Sequence, residues 1–171
     1  PTYAKDLYIN LGKANIKKSV TAVVPMKFIG TPSLAKNFLR YEKEMYDVIR
    51  NDLKISSYFS IQDPKGFVEN SKKGLRPKYA EKNGFEFSSW KQIGTDFLIK
   101  TGYNVINKRV HLETYVYYVP KKELVFGRSY SAPKKDVRSM AHKFCTDVVK
   151  KITGKDSFFM TKIAVSRSAS K

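Results

Sequence analysis

The chain holds one cysteine, Cys145, in 171 residues. A lone cysteine closes no internal disulfide, so a stapled mini-scaffold is excluded, and the count identifies no redox compartment. Histidine is nearly as scarce, with only His111 and His142. Two separated histidines and one cysteine fall short of the ligand set that a zinc site needs. No apolar run approaches the roughly 20 residues of a membrane-spanning helix. Glycine-rich phosphate loops are missing: Gly94 and Gly102 flank a strand pattern but form neither a Walker loop nor a dinucleotide fingerprint. No nucleophile elbow is present, and neither internal repeats nor low-complexity tracts occur. The residues therefore offer no catalytic constellation, no metal site and no cofactor site, and a non-enzymatic protein is expected. The chain begins Pro1-Thr2-Tyr3 with no basic-then-apolar leader. A removed presequence and a shortened chain both fit that start.

Acid is the other shortage. Fifteen Asp and Glu face 33 Lys and Arg, a formal net charge of +18. Such an excess attracts nucleic acid, anionic lipid or an acidic partner protein. The lysines are spread in pairs (Lys17-Lys18, Lys72-Lys73, Lys121-Lys122, Lys134-Lys135, Lys150-Lys151), without a block of five or six like charges. Tyr115, Tyr117 and Tyr118 beside Lys121-Lys122 resemble a base-stacking platform, which makes a basic nucleic-acid-binding domain the alternative reading. Tyrosines on a half-exposed strand are also ordinary β formers.

What is present is a globular core: 42% hydrophobic and 13% aromatic residues. A single domain of this length buries roughly 70% of its unfolded surface. Apolar residues recur at helical spacing through Val137, Met140, Ala141, Phe144, Cys145, Val148, Val149 and Ile152, ending at Gly154, which suits a positive-φ helix terminus. A second helix is expected from an N-cap at Ser33, with the stripe Leu34, Phe38, Tyr41, Met45, Val48, Ile49 and Leu53. Lys5 to Asn10, Ser19 to Val24 and Tyr58 to Ile61 read as strands. Asp63 to Gly84 reads as loop with one helical turn, and Ser88 or Ser89 as the cap of a short helix through Ile93. Asp96 to Val105, Arg109 to Val119 and Glu123 to Ser131 form an antiparallel meander with a tight turn at Asn107-Lys108. In its middle strand Val110, Leu112, Thr114, Val116 and Tyr118 share one face. Arg109, His111, Glu113, Tyr115 and Tyr117 share the other, partly wet face. Phe158 to Arg167 reads as a last strand. The fold class is α+β (mixed α/β): one mixed sheet with a three-strand antiparallel meander, covered by two long helices. Both histidines read as structural or surface residues, and Cys145 as a small buried hydrophobe.

Three stretches, in order, resemble the amino-terminal domain of the TolB family. Val20-Thr21-Ala22-Val23-Val24-Pro25-Met26 is similar to the family's early "I-A-I-V-P-F" strand. The run from Trp90 to Gly102 is similar to "W-x-x-x-G-A-D-A-L-V-x-G". Arg138, Ala141 and His142, then Lys151-Ile152-Thr153-Gly154 and Phe158 to Ala164, are similar to "R-x-x-A-H", "K-L-T-G" and "F-x-T-R-I-A-Y-V". The last of these opens the first blade of a β-propeller in that family.

The resemblance implies a periplasmic protein of the Tol-Pal cell-envelope system, with its signal peptide removed, without enzymatic chemistry. It implies three parts: an amino-terminal partner-binding segment at residues 1–12, the α/β domain at 13–156, and a linker with the first propeller strand at 157–171. It implies as partners the carboxy-terminal domain of TolA and the lipoprotein Pal, with the chain monomeric and bound to no nucleic acid. The partner-binding residues would be Asp6, Leu7, Tyr8, Ile9, Asn10, Leu11 and Gly12. Leu7, Ile9 and Leu11 would be the buried anchors of a strand added to a partner's sheet edge. The same segment also reads as a permanent edge strand of this domain.

Overall fold

A computed structural model describes residues 17–70 and 73–157. Strand β1 (Ser19–Val23) is followed by a short β2 (Lys27–Phe28), helix α1 (Leu39–Ile55) and β3 (Phe59–Ile61). Then come α2 (Phe87–Gln92), β4 (Phe97–Ile106), β5 (Arg109–Tyr118), β6 (Glu123–Pro133) and α3 (Val137–Thr153). The strands form one six-stranded mixed sheet in the order β3-β1-β4-β5-β6, with β2 also pairing β4. β1 runs parallel to β3 and β4, whereas β4-β5-β6 is an antiparallel meander. The expected α+β class and meander are therefore found.

Alternation along the strands sends side chains to two different cores. One face carries Val23, Phe97, Ile99, Val110, Leu112 and Val116 against Met45, Ile49 and Leu53 of α1 and Phe144, Val148 and Val149 of α3. The helices meet there, and the Cys145 thiol points at the Ile49 carbonyl 3.9 Å away. The opposite face carries Ala22, Leu98, Tyr117 and Val119 under Phe85, Phe87 and Trp90. This second core makes the meander's other face drier than alternation alone predicts: Tyr117 is 2% exposed and stacks edge-on against Phe85, with centroids 5.0 Å apart. Leu75 and Ile29 close over Gly102, where an added Cβ would come within 2.6 Å of Leu75 Cδ1.

The turn Asn107-Lys108 has φ of 49° and 62°, the left-handed pair that a two-residue hairpin needs. Gly154 takes φ 70° and its N–H closes α3 on the Lys150 carbonyl at 2.8 Å.

Three local readings are corrected. Ser33 caps nothing: Pro32–Phe38 is a 3₁₀ segment, and α1 starts only at Leu39 with no side-chain cap. Three residues per turn rotate Leu34 off the α1 stripe, so it is 44% exposed and not in the core. Neither Ser88 nor Ser89 is a cap, because α2 begins at Phe87, whose burial in the second core anchors that end. β2 is an additional strand; two residues give too short a pattern to read. The expected strands at Lys5 to Asn10 and Phe158 to Arg167 lie outside the described residues.

Candidate functional site

Asp6, Leu7, Tyr8, Ile9, Asn10, Leu11 and Gly12 also lie outside the described residues. The structure shows where the chain enters the fold after them. Lys17 and Lys18 are exposed, and the Ser19 N–H donates to the Tyr58 carbonyl at 3.0 Å, fixing β1 beside the edge strand β3. Next to this entry, a groove of about 420 Å³ lies between α1 and β3, lined by Lys18, Asp47, Arg50, Lys54, Phe59 and Ile61 among others. Its single carboxylate, Asp47, is bonded to Lys43 at 2.7 Å, and Arg50 donates to the Tyr46 hydroxyl at 3.2 Å. The groove is therefore cationic. Burial pushes the Tyr46 phenol up, while the Arg50 hydrogen bond and charge pull it part of the way back.

The two histidines and the cysteine, read from the sequence as structural or surface residues and a buried hydrophobe, are placed as follows. His142 Nδ1 lies 2.5 Å from Asp52 Oδ2, where Asp52 is 3% exposed, so the pair ties α3 to α1. Burial pushes the Asp52 carboxyl up; the hydrogen bond and charge of His142, with Arg138 nearby, oppose that rise. His142 is thus a helix–helix tie, and the Arg138–His142 motif has a mechanical meaning. His111 is half-buried on β5, in register with Asn104 and Ser131. Cys145 is fully enclosed, and burial pushes its thiol well up, away from the thiolate a nucleophile needs. Among the described residues no group of three or more His, Cys, Asp or Glu comes together as a metal site.

The tyrosine stripe is no base-stacking platform. Tyr117 is buried and donates to the Leu75 carbonyl at 3.0 Å. Tyr115 stacks on Tyr117 at 6.2 Å and donates to Glu113, and burial with that carboxylate pushes its phenol up to about 12. Tyr118 packs into the other core, on the helix side.

One polar cluster escapes a reading of the sequence. Lys100 Nζ donates to Glu69 Oε1 at 2.6 Å, with side chains 3% and 5% exposed, and lies 4.9 Å above the Phe85 ring. Trp90 Nε1 donates to the other Glu69 oxygen at 3.1 Å. Burial pushes the Lys100 ammonium down, and Glu69 draws it back up. A lysine that follows Leu98-Ile99 in a central strand was the available signal. Nothing in the sequence marks Glu69 as its partner from within an irregular segment. Likewise Asp52 falls three and seven residues after Ile49 and Met45, on the apolar stripe of α1, which marks a carboxylate that must find a partner inside.

A family model described as the TolB amino-terminal domain matches residues 7–125. The Tol-Pal system protein TolB of Syntrophotalea carbinolica is 32% identical over 153 residues, covering 90% of this chain and 33% of that protein. The Geobacter sulfurreducens protein of the same name is 28% identical over 122 residues, covering 71% of this chain and 27% of that protein. The crystal structure of TolB from Acinetobacter baumannii superposes with a TM-score of 0.62 at 16% identity, over 85% of this chain and 31% of that one. At that identity it speaks for the fold alone. The chain spans about a third of the length of the curated relatives it matches. Because the family match takes in most of the chain, the chain belongs to the TolB amino-terminal domain family.

Proposed function

We propose that this domain is a periplasmic, non-enzymatic adaptor of a Tol-Pal system, joining TolA to Pal in support of outer-membrane integrity and cell division. Family membership is the observation that carries the reading, and the family match begins at Leu7, so it takes in Leu7 to Gly12. The named relatives are Tol-Pal system proteins. Asp6 to Gly12 supplies the contact with the carboxy-terminal domain of TolA. As an added strand it offers main-chain hydrogen bonds for affinity, and Leu7, Ile9 and Leu11 on one face for specificity. A segment near a chain terminus detaches at low cost when few contacts hold it. The contact with Pal falls mainly to the propeller of a full-length protein.

The test is calorimetry of the chain, with and without residues 1–12, against the carboxy-terminal domain of the cognate TolA at physiological salt. Binding by the intact chain that disappears on deletion is the expected result. Binding that survives deletion, or no binding by the intact chain, overturns the role of this segment.

A further inference from the structure

Among the described strands β6 ends the sheet, and its character is unusual for an edge. Natural edges are kept short or are interrupted by lysine, proline or inward-pointing charge. β6 has 11 residues, with no lysine and with proline only at its last position. Its internal cation, Arg128, is held by Asp147 of α3 at 2.9 Å. A bulge opposite Val116/Tyr117 places the irregularity near the strand's start and leaves Phe126 to Ala132 in continuous register with β5.

The register shows which main-chain groups are open. The two-residue hairpin makes Ile106 and Arg109 a mutually bonded pair. Alternation then aims the main chains of Val110, Leu112, Thr114 and Val116 at β6. Their partners Ala132, Tyr130, Arg128 and Phe126 face back toward β5. Gly127, Ser129 and Ser131 therefore aim their N–H and C=O outward, toward no described strand. Among the described residues, only the Ser131 carbonyl is engaged, by Arg109 Nη2 at 3.1 Å.

Charge selects the occupant. Exposed Lys121 and Lys122 precede the strand, and Lys134 and exposed Lys135 follow it. Glu123 is the strand's only carboxylate. A second copy brings another +18 to the same edge and is repelled. Leu124, 53% exposed, and the bare Gly127 leave room for an apolar side chain between the charged ends. We infer that the β6 edge takes an extended acidic segment of a partner protein by strand addition. Gly127, Ser129 and the Ser131 N–H continue the ladder, and the two lysine pairs hold carboxylates at its ends. Neither proposal depends on the other.

The experiment uses the 171-residue chain. The probe is a short fluorescent peptide alternating valine and glutamate, and the control has lysine in place of glutamate. Binding is read by anisotropy, and the amides of β6 are read by hydrogen exchange. The glutamate peptide is expected to bind at least about tenfold more tightly than the lysine peptide and to protect Gly127, Ser129 and Ser131. Ser129→Pro removes an outward N–H and no bond to β5, so it should keep the fold and weaken binding at least about tenfold. Lys121→Glu with Lys122→Glu, on the surface, should weaken binding without affecting unfolding. Four results overturn the inference: equal binding of the two peptides, protection elsewhere, Ser129→Pro folded and binding normally, or the outward amides of Gly127, Ser129 and Ser131 already protected in the free chain. Preferential binding of single-stranded DNA or of phosphatidylglycerol vesicles along this edge also overturns it.

Discussion

Replacing Glu69 by leucine should destabilise this domain strongly. Glu69 is 5% exposed and holds the ammonium of Lys100, itself 3% exposed, together with the Trp90 indole N–H. Removing the carboxylate leaves a buried cation unpaired. Breaking such a pair costs roughly 3–5 kcal/mol, a fall in Tm of roughly 6–20 °C for a chain of this size. Lys100→Met should cost a similar amount, because the carboxylate then keeps only the indole. The double change Lys100→Met with Glu69→Leu removes both charges. It should cost less than either single change, its residue being the orphaned indole N–H at about 1–3 kcal/mol. Trp90 is the only tryptophan, so its fluorescence reports urea unfolding from inside the cluster. A single substitution costing under about 1 kcal/mol would show that water screens the pair. A double mutant as unstable as the sum of the singles would refute the coupling.

Two further outcomes follow from the buried polar groups. Burial pushes the phenols of Tyr103, Tyr117 and Tyr130 well above the ordinary 10.0, and Glu42 and Asp147 push Tyr103 and Tyr130 further. Each raised value makes the unfolded chain ionise first, so the stability they contribute is full below pH 10.0 and is lost as pH rises through the folded values. Absorbance at 295 nm should show these tyrosines titrating only as the chain unfolds; smooth titration of all 11 tyrosines near pH 10 would contradict this. His142→Ala strands the buried Asp52 carboxylate and should cost about 2–3 kcal/mol in urea unfolding. Lys143→Ala, which breaks an exposed contact at 2.5 Å to Asp147, should cost under about 1 kcal/mol. Equal effects would remove the case for a helix–helix tie.

The periodicities that survive in the structure are those with one dominant partner. The stripe from Val137 to Ile152 packs on the sheet and on α1 in one core, and Val110, Leu112 and Val116 face the helices in that same core, so local spacing fixed which side chains are buried. The hairpin at Asn107-Lys108 and the helix end at Gly154 were equally local, set by residues that accept positive φ. The start of α1 was not legible, because a 3₁₀ segment and an α-helix share the same Thr-Pro-Ser opening.

The sequence by itself determined the fold class, the family, the two long helices and the charge of +18, because composition, short-range spacing and ordered motifs are properties of the chain. Only the tertiary structure decided that Lys100 meets Glu69, that Asp52 meets His142, that Tyr117 is buried and cannot stack on a base, and that β6 is the last of the described strands. Each of these depends on residues tens of positions apart or on which strand ends the sheet. Burial converts an ordinary polar side chain into one that must be paired, and the partner that satisfies it is chosen by the fold's geometry, not by its neighbours in the chain.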